Sequence, residues 1–155
     1  MGCSKWLANQ TRPDVTNAVR AVARHANKPR EVHLSTAIDG LEYVFFTSDF
    51  GIKFQKGSGL GLVAFADADY ASKATDRRSA SGGAVTCAGA YVSWSSRIQK
   101  CVTVSTTEAE YVALGDTVKE AIFIRYVGSP TGAMMTLWAF GTRAQEEKQD
   151  KRREK

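Results

Sequence analysis

Two short acidic tracts carry the residues of this chain that are best suited to chemistry. Asp67 and Asp69 lie in the tract FADADYA, and Glu108 and Glu110 lie in the tract STTEAEYVAL. An aspartate that ends an apolar strand and a glutamate in the first turns of a following helix can meet at one edge of a sheet. Carboxylate oxygens suit hard divalent cations, and a bound divalent cation can promote phosphodiester hydrolysis. The pattern indicates metal-dependent nuclease chemistry, although such carboxylates also occur as helix caps and solvated turn residues.

The four carboxylates cannot all face the same point. Residues two apart on a strand share a face, so Asp67 and Asp69 can point the same way. Residues two apart on a helix diverge by about 200°, so only one of the two glutamates can face the strand end. Glu108 lies three residues after Ser105, where a capping box places its carboxylate. Glu110 is therefore the better partner for Asp67.

The acidic tracts require strands and a helix to bring them together. Residues 60–66 are almost wholly apolar, which is typical of a central strand buried on both faces. Residues 82–87 and 91–95 are predicted to form two short strands joined by a loop that contains a glycine. Residues 101–104 also have a β-type composition. We therefore expect a hairpin between the two acidic tracts.

A long helix is predicted from the capping box at Ser105 to about Tyr126. Apolar residues recur three and four positions apart along it, which indicates one buried face. The stripe expected to face the sheet contains Tyr111, Leu114, Val118 and Ile122.

The residues before the acidic tracts are predicted to be mainly helical. Pro13 lies just inside a helix start, and apolar residues at helical spacing predict an amphipathic helix over 11–26. A similar rhythm predicts a second helix over 31–46, although the aromatic and β-branched run 43–47 also suits the start of a strand. A short strand is expected at 51–54.

Composition places modest limits on function. The chain has 155 residues and a net charge of +5, with a sequence pI near 9.2, which favours polyanionic partners such as nucleic acids. Its three cysteines show no zinc-type spacing, so we expect reduced thiols and an intracellular protein. No stretch approaches the roughly 20 apolar residues of a membrane span, so no membrane association is expected. The oligomeric state cannot be derived from the sequence.

Four tracts, in order along the chain, resemble the end of the reverse transcriptase and the ribonuclease H region of copia-type retrotransposon Pol polyproteins. They are WLANQTRPDVTNAV at 6–19, FADADYASKATDRRSASGG at 65–83, VSWSSRIQK at 92–100 and VSTTEAEYVALGDTVKEAIFIR at 104–125. The resemblance covers most of residues 2–127. It divides the chain into a reverse transcriptase connection segment (1–58), the N-terminal part of a ribonuclease H-like domain (59–127) and a divergent tail (128–155).

The resemblance implies an α/β fold with a ribonuclease H-like mixed sheet, in which three antiparallel strands precede a helix, and a helical connection segment before it. It also implies hydrolysis of the RNA strand of an RNA–DNA hybrid, with Mg²⁺ or Mn²⁺ as cofactor. On matching positions, Asp67 and Glu110 are the expected catalytic and metal-binding carboxylates. Asp69 is an additional candidate metal ligand.

The chain departs from the family after residue 127. The family's third and fourth carboxylates have no match here, and the only later aspartate, Asp150, lies in a run of charges. We therefore expect the enzymatic activity to be weak or lost; the alternative is a non-catalytic nucleic-acid-binding protein or a structural relic. If the family's next strand is absent, the apolar run 134–140 is a candidate to take its place beside residues 60–66.

Basic and hydroxyl residues flank the expected hairpin and are candidates for contact with nucleic acid. Cations on loops near an active edge can bind backbone phosphates, and hydroxyls can contact the 2′-OH of RNA. An equally good interpretation is that Arg77 or Arg78 pairs with Asp76. The predicted nucleic-acid-binding residues are Arg77, Arg78, Ser79, Arg97 and Lys100.

Overall fold

The computed structural model describes residues 2–59, 61–72 and 76–127, and the backbone of residues 135–139. The chain divides into two compact units, Met1–Lys53 and Phe54–Lys155. The assignment of residues 1–58, 59–127 and 128–155 to parts of a polyprotein stays a prediction, because a division by packing does not identify those parts.

The first unit is helical. Its elements are α1 (Gly2–Gln10), a 3-10 turn (Pro13–Val15), α2 (Thr16–Ala23) and α3 (Glu31–Phe46). The single helix predicted over 11–26 is thus a turn followed by a shorter helix. The strand considered for 43–47 is wrong, since α3 runs through Phe46, and residues 51–54 form no strand. Each added helical residue gains a hydrogen bond within its own segment, whereas a strand needs a partner.

A buried arginine joins the 3-10 turn to the end of α3. The Arg12 side chain is 5% exposed in its ion pair with Asp14. Its guanidinium donates to the Asp14 carboxylate at 2.8 Å and to the Thr47 carbonyl at 2.9 Å, and the Tyr43 hydroxyl donates to the same carboxylate at 3.1 Å. A bidentate pair of this kind is a strong, directional contact, so it sets how the turn meets α3.

The second unit contains a mixed sheet whose described strands follow the order β3-β2-β1-β4. The strands are β1 (Leu62–Asp69), β2 (Ala80–Cys87), β3 (Ala90–Ile98) and β4 (Met135–Ala139). β1 and β2 pair antiparallel, as do β2 and β3. The strand predicted at 101–104 is wrong, because these residues form bends and irregular backbone before the next helix. The predicted ribonuclease H-like arrangement of three antiparallel strands followed by a helix is confirmed.

β4 runs beside the central strand. Its residues pair in parallel with Leu62–Ala66, which is the position considered for the apolar run 134–140. A parallel neighbour covers the edge of β1, and an uncovered apolar edge would favour aggregation.

The helix α4 (Thr106–Val127) packs on the sheet through small residues. Its buried residues are Ala109, Ala113, Thr117 and Ala121. The predicted stripe is wrong for its two ends, since Tyr111 is 70% exposed and Ile122 is 54% exposed. The reason is close approach: a Cβ added at Gly83 in β2 would lie 2.6 Å from the Thr117 Oγ1. There is no room for larger side chains between the helix and this strand.

The core of the second unit is built mainly from small and medium-sized apolar residues. It contains Leu62, Ala64, Val85 and Ala121, with Cys87 and Ile124 packed against it. Within the described ranges, no helix combines the length and apolar character that crossing a membrane requires.

Candidate active site

The end of β1 and the start of α4 carry the two carboxylates predicted from the sequence. Asp67 lies opposite Gly82 in β2, one residue beyond the point where the described pairing with β4 stops, at Ala66. Its side chain is exposed, whereas that of Glu110 is half-buried. The sheet and the first turns of the helix therefore present both groups at the same end of the fold.

A capping arrangement sets the start of α4. The Ser105 hydroxyl accepts a hydrogen bond from the Glu108 amide at 3.1 Å, and the Glu108 carboxylate accepts one from the Val104 amide at 2.7 Å. This is close to the predicted capping box, with the carboxylate bound one residue earlier than usual. Glu108 is thus engaged in capping, and Glu110 is left to face the strand.

The carboxyl groups of Asp67 and Glu110 interact electrostatically. The pKa of the Glu110 carboxyl is raised, first because the group is partly buried and second because of the negative charge of Asp67; a hydrogen bond from the Ala68 backbone opposes both effects. Two carboxylates that repel in this way form a site where a cation is favoured.

The candidate ligand Asp69 and the other nearby aspartates are placed differently. Asp69 is exposed further along β1, and Asp116 pairs with Lys119 on the surface of α4 at 3.7 Å. Asp150 lies outside the described residues. Within the part of the chain that the structure describes, no group of three His, Cys, Asp or Glu side chains could hold a metal ion.

The donor set fits one hard divalent cation. Mg²⁺ commonly binds through one or two carboxylates while keeping several water ligands, and Asp67 and Glu110 supply that number. Such an ion would offset the negative charge of Asp67, which after partial burial is the second cause of the raised Glu110 pKa. The described residues do not supply carboxylates for a second ion.

The predicted basic residues differ in their availability. Arg77, Arg97 and Lys100 are exposed. Arg78 is instead engaged with Asp76, with Nε and Nη2 each 2.7 Å from the same carboxylate oxygen. The ion pair considered as the alternative interpretation is therefore present for Arg78.

Ser79 lies in the interior. The residue is fully buried, and its hydroxyl is 2.8 Å from that of Thr103 and accepts a hydrogen bond from the Ala71 amide at 3.1 Å. The predicted contact of this hydroxyl with nucleic acid is therefore not available in this structure.

Sequence reasoning missed the buried side-chain amide of Gln99, whose backbone amide donates to the Ser79 carbonyl. Gln99 is 4% exposed, and its side-chain nitrogen donates to the Ser81 hydroxyl and the Ala109 carbonyl, each at 2.9 Å. In the sequence it lies between Arg97 and Lys100, so it resembles a polar surface residue. Only the packing of α4 on β2 shows that it is internal.

Similar proteins place the chain in a family. It is 39% identical over 115 residues to the retrovirus-related Pol polyprotein from transposon TNT 1-94 of Nicotiana tabacum. It is 36% identical over 136 residues to the Pol polyprotein from transposon RE1 of Arabidopsis thaliana. These matches cover 74% and 88% of the chain, but only 9% of each polyprotein.

A further relative is much shorter. The chain is 35% identical over 124 residues to a protein named secreted RxLR effector protein 161 from Plasmopara viticola, and the match covers 80% of the chain and 87% of that protein. No protein-family model and no solved structure matches the chain. With the four tracts and the fold, these similarities show that the chain belongs to the retrovirus-related Pol polyproteins of copia-type transposons.

Proposed function

We propose that this retrotransposon-derived domain is a ribonuclease H-like module that hydrolyses the RNA strand of RNA–DNA hybrids weakly. The observation that carries the proposal is the approach of Asp67 and Glu110, which come from different elements and interact electrostatically at one end of the sheet. The Pol relatives support the substrate class only as a proposal, because the chain corresponds to 9% of the length of each of the two compared.

The chemistry assigned to each group follows from its position. Asp67 and Glu110 would hold one Mg²⁺ or Mn²⁺ ion, which when bound supplies Lewis-acid activation of water and stabilisation of the leaving oxygen. Asp67 is exposed, so it can be reached by a nucleic-acid backbone. Glu110 is half-buried, so its side chain has less freedom than that of a fully exposed residue.

Weak rather than full activity is expected because the donor set is small. A two-ion mechanism needs ligands for both ions in fixed geometry. The described residues offer two carboxylates near each other and no third acidic, histidine or cysteine ligand.

The test is cleavage of a labelled RNA–DNA hybrid in Mg²⁺ and, separately, in Mn²⁺. Asp67→Asn and Glu110→Gln keep the side-chain shapes and remove the charges. Loss of a residue that only supports a metal ligand lowers activity by up to about 100-fold. Loss of a ligand itself is therefore expected to lower cleavage by at least that factor. Asp116→Asn is the matched control, because it removes an exposed charge from the same helix. It is expected to leave cleavage unchanged.

Two results would contradict the proposal. Cleavage that persists in both site variants would indicate a contaminant or a different site. No cleavage by the wild-type protein, in a sample shown to be folded by circular dichroism, would leave binding without catalysis.

Binding without catalysis is the second candidate function. It is favoured by the net charge of +5 and by three exposed cations, Arg77 before β2, Arg97 near the end of β3 and Lys100 just after β3. Exposed cations near the end of a sheet can bind backbone phosphates without reading sequence. Binding through phosphates can be tested without cleavage, by measuring how the affinity for a hybrid falls with salt concentration.

A further inference from the structure

The buried amide of Gln99 joins two elements with one group. Its nitrogen donates to the Ser81 hydroxyl of β2 and to the Ala109 carbonyl of α4, each at 2.9 Å. The Gln99 backbone amide also donates to the Ser79 carbonyl at 2.8 Å. The side chain is therefore held at its base and at its tip.

The two acceptors of this amide are direct neighbours of the candidate site. Ala109 precedes Glu110 in α4. Ser81 pairs with Ala68 across the sheet, and Ala68 directly follows Asp67 in β1. A shift of the first turns of α4 against β2 would change the separation of the two carboxylates.

The amide is an unusual choice for a core position. Among the described residues, the Gln99 Oε1 is buried without a hydrogen-bond partner, and an unsatisfied buried acceptor is destabilising. An apolar side chain of similar size would avoid that cost. In contrast, the Gln99 side-chain nitrogen donates to one acceptor on β2 and one on α4. Buried polar contacts of this kind restrict the relative position of the elements that they join.

We propose that Gln99 is a positioning residue that sets the separation of Asp67 and Glu110 by tying the first turns of α4 to β2. The role of this separation in cleavage rests on the proposed function. The positioning itself is a property of the folded chain and can be measured without activity.

The test compares the wild type with Gln99→Met, which keeps an unbranched side chain of similar length and removes both donated hydrogen bonds. Thr86→Val is the matched control: Thr86 is also buried, and its hydroxyl donates to the Val63 carbonyl at 3.4 Å. That bond lies towards the other end of the pairing between β1 and β2.

The first readout is hydrogen exchange of backbone amides followed by NMR. In Gln99→Met, the Ala68 amide is expected to exchange about three- to tenfold faster relative to the core amides of Ala64 and Val85, as for loss of one hydrogen bond. Thr86→Val should not change this ratio. A purely structural role would raise exchange at all core amides together and would overturn the proposal.

The second readout is cleavage kinetics with the hybrid. Loss of positioning is expected to lower kcat and leave KM nearly unchanged, because an interaction needed only for the reacting geometry affects the transition state. Selective exchange at Ala68 without cleavage by any form would support the positioning and refute the proposed function. Cleavage unaffected by Gln99→Met, together with an unchanged Ala68 amide, would refute the positioning alone.

If Gln99→Met does not fold, Ser81→Ala gives the same test with a smaller change. It removes the acceptor on β2 and leaves the bond to Ala109. A smaller but still selective rise in Ala68 exchange is expected. A uniform rise, or none, would overturn the proposal.

Discussion

Substitution of two adjacent glycines should have opposite effects on the stability of the second unit. At Gly83, an added Cβ would lie 2.6 Å from the Thr117 Oγ1, whereas at Gly82 the nearest atom is the Asp67 carbonyl oxygen at 3.9 Å. The first distance is far below van der Waals contact and the second is ordinary contact. The two residues are neighbours on the same strand, so each serves as a control for the other.

The magnitudes follow from these distances. Gly82→Ala is expected to increase the free energy of unfolding by about 0.4–1 kcal/mol, because alanine reduces the conformational entropy of the unfolded chain. Gly83→Ala lowers the entropy of the unfolded chain in the same way. It also forces the Thr117 side chain or α4 to move, and overpacking of a core lowers the free energy of unfolding by about 1–3 kcal/mol. The difference between the two variants should therefore be about 1–3 kcal/mol, with Gly83→Ala the less stable.

The assay is urea unfolding followed by tryptophan fluorescence in a Trp6→Phe background. Trp6 is 65% exposed, so this substitution should be tolerated, and the remaining signal then comes from the second unit. Thr117→Ala in the Gly83→Ala protein should restore stability, since it removes the clashing hydroxyl. Because the two side chains are in contact, a coupling of about 0.5–3 kcal/mol is expected in the double-mutant cycle.

Equal stability of Gly82→Ala and Gly83→Ala would refute the reasoning. So would a double-mutant cycle without coupling, because the clash would then not involve Thr117. Either result would mean that the helix does not lie as close to β2 as the structure places it.

Two further predictions concern charge. The affinity for a hybrid should fall with log[salt] by about 0.9 per phosphate contact, and alanine should flatten the slope at Arg77, Arg97 and Lys100. Arg78→Ala should flatten it less, because that side chain binds Asp76; a slope unchanged by the triple substitution would exclude those residues from the interface. In the first unit, the hydrogen bond from Arg12 holds the pKa of Asp14 below its ordinary value of 3.8, so this carboxylate stabilises the fold at neutral pH and its contribution is lost as the pH falls through the lowered pKa. Asp14→Asn should lower the urea midpoint at pH 7 and weaken its dependence on acid pH, and an unaltered pH profile would contradict this role.

Features that depend on a few neighbouring residues were predictable. The end of an apolar strand at Asp67 follows from composition, and the hairpin follows from two short β-type stretches on either side of Gly89, which has φ 77°. The capping of α4 by Ser105 and Glu108 follows from a three-residue spacing. These features together predict that Glu110 faces the end of the strand.

The face of α4 that packs on the sheet was not predictable in the same way. Two rows of residues at helical spacing run along this helix, and the larger one, with Tyr111 and Ile122, was predicted to be buried. The smaller row, with Ala113 and Thr117, is buried instead. Helical periodicity identifies both rows, but the space available is decided by Gly83 on another strand.

Ser79 and Gln99 show the same limit for polar residues. In the sequence, both lie among charged neighbours and resemble surface positions. In the fold both are buried: Ser79 finds its partners in the Thr103 hydroxyl and the Ala71 amide, and Gln99 finds its partners in β2 and α4.

The sequence by itself determined the family, the chain order of β1, the hairpin and the main helix, and the choice of Asp67 and Glu110 as candidate carboxylates, because these depend on local patterns and matching motifs. Tertiary structure alone decided which face of α4 is buried, which predicted contacts are internal, and that β4 lies beside β1. Those properties depend on the distance between elements far apart in the chain, and a distance of this kind is set only when the elements pack.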